Sequence, residues 1–255
     1  MTIGIIDSGL GGYSIFHALH QAYPNAAFHF LADQKNAPYG NKTALEIQTI
    51  ATKNIQWFLN QGIHEIVIAC NTMNAVALPV LKERFPTVIF HEVVEPTIEQ
   101  IPVDTKSILV VATKLTIQSE IYTKALRQRF PTMKIQGTIL PELVSMVEGM
   151  RSQADMQAYI EQELSVESLN ADAMILGCTH YPLARPAFNQ VFKQNIYDSI
   201  QVMVNQFKDK TLLEGEAKCF TTKDAIYAHI QVKELFQSDV EFTKIEVDHE
   251  TDPRR

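Results

Sequence analysis

Two segments of this 255-residue chain share one pattern: IVIACNT at 66–72 and MILGCTH at 174–180 are each an apolar run that closes on a small residue and then cysteine. A second pair, IGIID from Ile3 and ILVVAT from Ile108, is offset along the chain by nearly the same distance. A repeat of this kind divides the chain into two matching halves with one thiol in each. Short Val/Ile-rich runs alternate with longer amphipathic stretches, the pattern of parallel strands covered by helices. The fold class expected is α/β, with two doubly wound, mainly parallel-sheet domains related by pseudo-twofold symmetry. Each cysteine then leaves the carboxyl end of a strand, the edge where open α/β sheets bind ligands, and a site forms between the halves.

The expected strands lie near 2–6, 27–31, 64–69, 88–93, 107–112, 134–139 and 172–177. Between them, Leu45, Ile47, Ile50, Ala51, Ile55, Phe58 and Leu59 recur at helical spacing over 43–60. Met156, Tyr159, Ile160 and Leu164 do the same. Pro96 and Pro102 mark the end of the first half, so residues 1–94 form one domain and 95–206 the other. The stretch 207–255 is expected to return to the first domain through a packing helix with Ala225, Tyr227, Ala228, Ile230, Val232, Leu235 and Phe236, and Glu250 to Arg255 to form a solvated tail.

A net charge of −7 and the lack of clustered Lys and Arg exclude a nucleic-acid binder, and they require local donors for any anionic substrate. No apolar run is long enough to span a membrane, and no charged, apolar leader opens the chain. Three cysteines, an odd number, fit a reducing cytoplasm better than a disulfide framework.

GIIDSGLGGYS at 4–14 places Gly9, Gly11 and Gly12 between a strand and a helix, where bare backbone N–H groups can hold an anion such as a carboxylate. The glycine spacing is not that of a dinucleotide fingerprint. Asp7 ends the strand, where half-burial beside the cleft would raise its pKa and suit it to acid–base work. Cysteine is commonly a buried apolar filler. Here, though, Asn71 and Thr72 follow Cys70, and Thr179 and His180 follow Cys178, at strand ends expected to open to solvent. A thiol of ordinary pKa is mostly protonated at neutral pH, so His180 or Asp7 would have to take up its proton. Cys178 and His180 lack metal-ligand spacing, and Cys219 has no comparable setting. Pro38, Tyr39 and Gly40 read as a turn, and Glu148, near the end of a short helix, reads by itself as a solvated surface charge.

Taken together, GIIDSGLGG, PYG, ACNT, VVEP and LGCTHYPL resemble, in order and spacing over residues 3 to 205, the cofactor-independent amino-acid racemases of the aspartate/glutamate type. The resemblance implies two α/β domains whose cysteines flank the substrate α-carbon, with Cys70 and Cys178 as alternating proton donor and acceptor. It implies that Asp7, Glu148 and His180 assist those thiols, and that Asp7, Ser8, Tyr39, Gly40, Asn71, Thr72, Thr113, Thr116, Thr179 and His180 contact substrate. It also implies a free amino acid as the small-molecule partner, glutamate first and aspartate or a broader range as the alternative. No cofactor and no metal are implied, a homodimer is, and in a bacterium the product would be D-glutamate for peptidoglycan. Met73 and Asn74, after ACNT, lean toward the aspartate-specific pattern.

Without an electron sink, the α-carbanion would have to be stabilised by hydrogen bonds on the carboxylate in a partly dry cleft. Two other readings stay open at this level. A Cys/His amidase or isomerase would need only one sulfur. A two-lobed binding protein for an amino acid would exchange no proton.

Overall fold

The computed structural model describes residues 2–247. Ten strands carry it: β1 (Ile3–Asp7), β2 (Phe28–Ala32), β3 (Glu65–Ile68), β4 (Ile89–His91), β5 (Ser107–Ala112), β6 (Lys134–Ile139), β7 (Ala173–Gly177), β8 (Asn195–Tyr197), β9 (Lys218–Thr221) and β10 (Phe242–Lys244). They form two wholly parallel sheets, of order β10-β9-β2-β1-β3-β4 and β6-β5-β7-β8. The α/β class expected from the sequence is the one observed, and β2-β1-β3-β4 has the same strand order as β6-β5-β7-β8. β1, β3 and β7 are buried along their whole length, so a continuous apolar run rather than an alternating one marks them.

All seven expected strands are present. The three not foreseen, β8, β9 and β10, are only three or four residues long and mix Lys, Asn and Thr with apolar residues. Pairing with a neighbour stabilises them more than local pattern does. β9 pairs with β2 and β10 with β9, extending the first sheet.

The helix Ala44–Asn60 forms as its spacing predicts and starts at a reciprocal cap between Thr43 and Glu46. Leu45, expected on its packed face, is exposed because that first turn projects beyond the core. In the helix Ala225–Phe236 the buried positions are Ala228, Gln231 and Val232, while Tyr227 and Ile230, expected to pack, are largely exposed. The expected tail, Glu250 to Arg255, lies outside the described residues. No helix among those described is long and apolar enough to cross a membrane.

Candidate active site

Both halves of the repeat deliver a cysteine to one cavity of about 210 Å³. β3 runs into Cys70, which caps the helix Asn71–Val76, and β7 runs into Cys178, with Thr179 and His180 entering a short 3₁₀ turn. The strand-to-helix break is where backbone and side chains leave the sheet edge together, which puts Asn71, Thr72, Thr179 and His180 on the same cavity wall as the sulfurs. Ser8, Tyr39, Gly40 and Thr113 also line it. The cysteines were expected to open to solvent. Instead Cys70 is 4% and Cys178 7% exposed, and each packs into an apolar cluster while facing the cavity.

Three of the residues singled out from the sequence stand behind the wall rather than in it. Thr116 is buried, its Oγ1 2.9 Å from that of Thr113 and 3.2 Å from that of Thr72. Asp7, expected to be half-buried, is fully buried beneath the glycine turn and accepts from the Gly9 amide at 3.1 Å and from Thr179 Oγ1 at 3.1 Å. Glu148 is no solvated surface charge. It closes the helix Leu143–Glu148, its side chain 22% exposed, and its Oε1 accepts from His180 Nε2 at 2.8 Å and from the Leu10 amide at 3.0 Å.

These contacts correct the reading of the glycine turn. The Gly9 and Leu10 amides do meet carboxylates, but those of Asp7 and Glu148, and the Gly11 amide lies 3.2 Å from His180 Nε2, so all three are taken before any ligand arrives. The glycines serve close approach instead. A Cβ at position 12 would lie 2.3 Å from Asp7 Cβ, and one at position 11 would lie 2.5 Å from His180 Nδ1.

The two sulfurs meet different partners. Cys70 Sγ donates to Ser8 Oγ at 3.7 Å. Burial, reinforced by the nearby Asp7 charge, pushes its thiol up to about 12, against the opposing pull of the Met73 amide and the Ser8 hydroxyl. Cys178 Sγ lies 3.9 Å from His180 Nδ1. Burial disfavours the His180 imidazolium, yet its hydrogen bonds to Cys178 and Glu148 and the charges of both together raise its pKa well above the ordinary histidine value. Burial likewise opposes the Glu148 carboxylate, but His180 and the Leu10 amide hold its pKa down at about 2. Burial raises the pKa of Asp7, against the His180 charge and the Gly9 amide.

Several residues of the site carry no mark in the sequence. Asp33 is wholly buried and accepts from Tyr39 Oη at 2.6 Å, from Asn54 Nδ2 at 3.1 Å and from Thr222 Oγ1 at 2.8 Å. Tyr39 therefore offers the cavity its ring and backbone, with the hydroxyl already engaged. Tyr122 donates to Asn71 Oδ1 at 2.5 Å, which turns the amide so that Asn71 Nδ2, buried at the cavity wall, has no acceptor among the described residues. A buried donor left in that state costs about 1–3 kcal/mol, which a ligand carboxylate removes. Lys114 lines the cavity without an ion-pair partner among the described residues, and Ile139, Leu140 and Val144 form an apolar wall. Adjacency to PYG could have flagged Asp33; nothing local flags Tyr122. Among the described residues, no group of three or more His, Cys, Asp or Glu side chains could hold a metal ion.

Comparison with known proteins bears on this geometry. A family model described as Asp/Glu/Hydantoin racemase matches residues 3–207. The chain is 33% identical over 208 residues to a glutamate racemase of Carboxydothermus hydrogenoformans, covering 80% of this chain and 75% of that one. It is 37% identical over 186 residues to one of Staphylococcus carnosus, covering 71% and 70%. The crystal structure of the Francisella tularensis glutamate racemase with D-glutamate superposes with a TM-score of 0.88 at 25% identity, covering 97% of this chain and 98% of that one.

Proposed function

The chain belongs to the Asp/Glu/hydantoin racemase family, and from that membership and the geometry of its cavity we propose that it interconverts L- and D-glutamate by proton transfer between two cysteines. The observation that carries the mechanism is that Cys70 and Cys178 face one cavity and meet different partners there. Cys70 begins as the thiol. Cys178 Sγ lies 3.9 Å from an imidazole whose pKa Glu148 helps to raise, and serves as the base.

Substrate enters with its α-carboxylate on Asn71 Nδ2 and the Thr72 hydroxyl, beside Thr179, whose own proton goes to Asp7. Lys114 meets the distal carboxylate, answering the need for a local cation in a chain of charge −7. The Cys178 thiolate takes the α-proton, and the electron pair left on carbon spreads into the carboxylate, where those donors strengthen their hold. The Cys70 thiol then gives its proton to the opposite face, the carbon–hydrogen pair re-forms with inverted configuration, and the sulfurs have exchanged states. The reverse direction starts from Cys70 as base. No step calls for a cofactor or a metal.

We take the domains to divide as 1–94 with 207–255, and 95–206, which puts the cavity between the lobes. The enzyme acts in the cytoplasm, as a homodimer, and its D-glutamate feeds peptidoglycan.

Purified protein incubated with each enantiomer of glutamate and of aspartate, followed by circular dichroism, tests this reading. Decay of the glutamate signals alone, with one solvent deuterium entering Cα per inversion and no added cofactor, is the expected result. Decay for aspartate alone would overturn the substrate, and inversion without solvent exchange would overturn the mechanism. A Cys/His amidase would need only one of the two sulfurs, and a binding protein would leave every signal unchanged.

A further inference from the structure

Glu148 is held from a part of the chain that lies beyond the matched family span of 3–207. Gln231, on the helix Ala225–Phe236, is 1% exposed and donates from Nε2 to the Glu148 backbone carbonyl at 2.7 Å. Its Oε1 accepts from Gln34 Nε2 at 3.1 Å. Gln34, two residues past the end of β2, also helps to lower the Glu148 pKa, and its Oε1 accepts from Thr221 Oγ1 of β9 at 2.9 Å.

Each amide is thereby oriented. Thr221 Oγ1 donates to the Gln34 oxygen, which leaves the Gln34 nitrogen to donate to Gln231. The Gln231 oxygen then faces Gln34, and its nitrogen faces the carbonyl. Two amides in a buried chain are costly unless every group is matched, and matched they hold one arrangement rigidly. Position 231 lies beside Ala228 and Val232 on the buried face of its helix, where an apolar side chain would satisfy packing alone. The polar residue there needs a further reason. The chain it forms ends on the backbone carbonyl of Glu148, whose carboxylate contacts His180, which in turn contacts Cys178.

We propose that Gln34 and Gln231 are positioning residues for the reaction, fixing Glu148 against His180, and that the segment after residue 207 thereby completes the Cys178 flank of the site. The inference rests on the two-cysteine reading above. Without this clamp, Glu148 would be anchored on that side by the Leu10 amide alone.

Gln34→Met and Gln231→Met keep length and shape while removing the hydrogen bonds. The expected result for each is a drop in turnover of about tenfold or more with KM within about threefold, since a misplaced charged group costs more than one neutral bond. In the imidazole NMR titration of full-length protein, the His180 midpoint should fall by at least about half a pH unit as its carboxylate partner loosens. The double variant should lose little more than either single, because both act through one group. Should Gln231→Met fail to fold, Gln231→Glu keeps the shape and the acceptor for Gln34 and removes the donor to Glu148. Turnover within about threefold of the parent together with an unmoved His180 midpoint, or a lower melting temperature with both unchanged, would overturn the proposal. If the parent protein racemises nothing, the reading under Proposed function fails, and the His180 titration still decides this one.

Discussion

The Cys70 and Cys178 flanks of the cavity come from the same strand order and the same strand-to-cysteine break, yet their surroundings differ. On one side the sulfur meets a neutral hydroxyl and lies near a buried acid whose own ionisation is disfavoured. On the other it meets an imidazole backed by a carboxylate held at about 2. Duplicated backbone thus places two thiols at matching strand ends, while unlike neighbours make the two flanks unequal. A reaction that must take a proton on one face and return one on the other requires that inequality, because two thiols or two thiolates at rest would stall it.

Removing either sulfur breaks the comparison outright. Cys70→Ala and Cys178→Ala are each expected to lower racemisation by at least about 10²–10⁴-fold, the range typical of a lost acid or base. Since each cysteine also fills part of an apolar cluster, each change should cost about 1 kcal/mol in chemical denaturation. Near-normal turnover in either variant would remove the two-thiol scheme.

The partners should separate the flanks more finely. His180→Asn is expected to cost about 10²-fold in turnover. Ser8→Ala, which removes one neutral hydrogen bond, should cost only about fivefold to tenfold. Equal losses in steady-state assays would mean that the flanks are equivalent after all.

The pH dependence of stability gives an independent measure. The Glu148 pKa falls from 4.5 to about 2 on folding, so its contribution is full above about pH 4.5 and disappears as pH falls toward about 2. His180 is shifted the other way from 6.5, so its contribution is full below that value and is lost as pH rises through its higher folded pKa. Urea midpoints of Glu148→Gln should therefore vary less than those of the parent between pH 4.5 and about 2. Parallel curves would show that Glu148 gains nothing from its partners.

Lys114 lies on the rim and belongs to neither flank. Lys114→Gln should raise KM for glutamate about threefold to tenfold with turnover nearly unchanged, and the difference from the parent should shrink with added salt, as expected of an exposed charge. An unchanged KM would return Lys114 to the ordinary surface.

The same division separates what could be read in the chain from what could not. The apolar runs ending in Cys70 and Cys178 are local signals, and the polar residues just after them share the cavity because a strand end carries its successors to one edge. Glu148 gives no such signal: its sequence neighbourhood is an ordinary short helix, and only docking against the glycine turn brings it to His180. Gln231 reads as an interruption in an apolar face, Asp33 as a turn residue and Tyr122 as core. Each is defined by a partner at least six and as many as 197 residues away.

The sequence by itself determined the parallel α/β class, the duplication and the two cysteines at strand ends, because periodicity and strand-to-helix breaks act over a few neighbouring residues. Only the tertiary structure decided that Glu148 meets the histidine beside Cys178, that the glycine turn holds the protein's own acids, and that the C-terminal helix contacts Glu148. Those pairings depend on how two sheets and their helices pack, and hydrogen bonds across that distance leave no periodic trace along the chain.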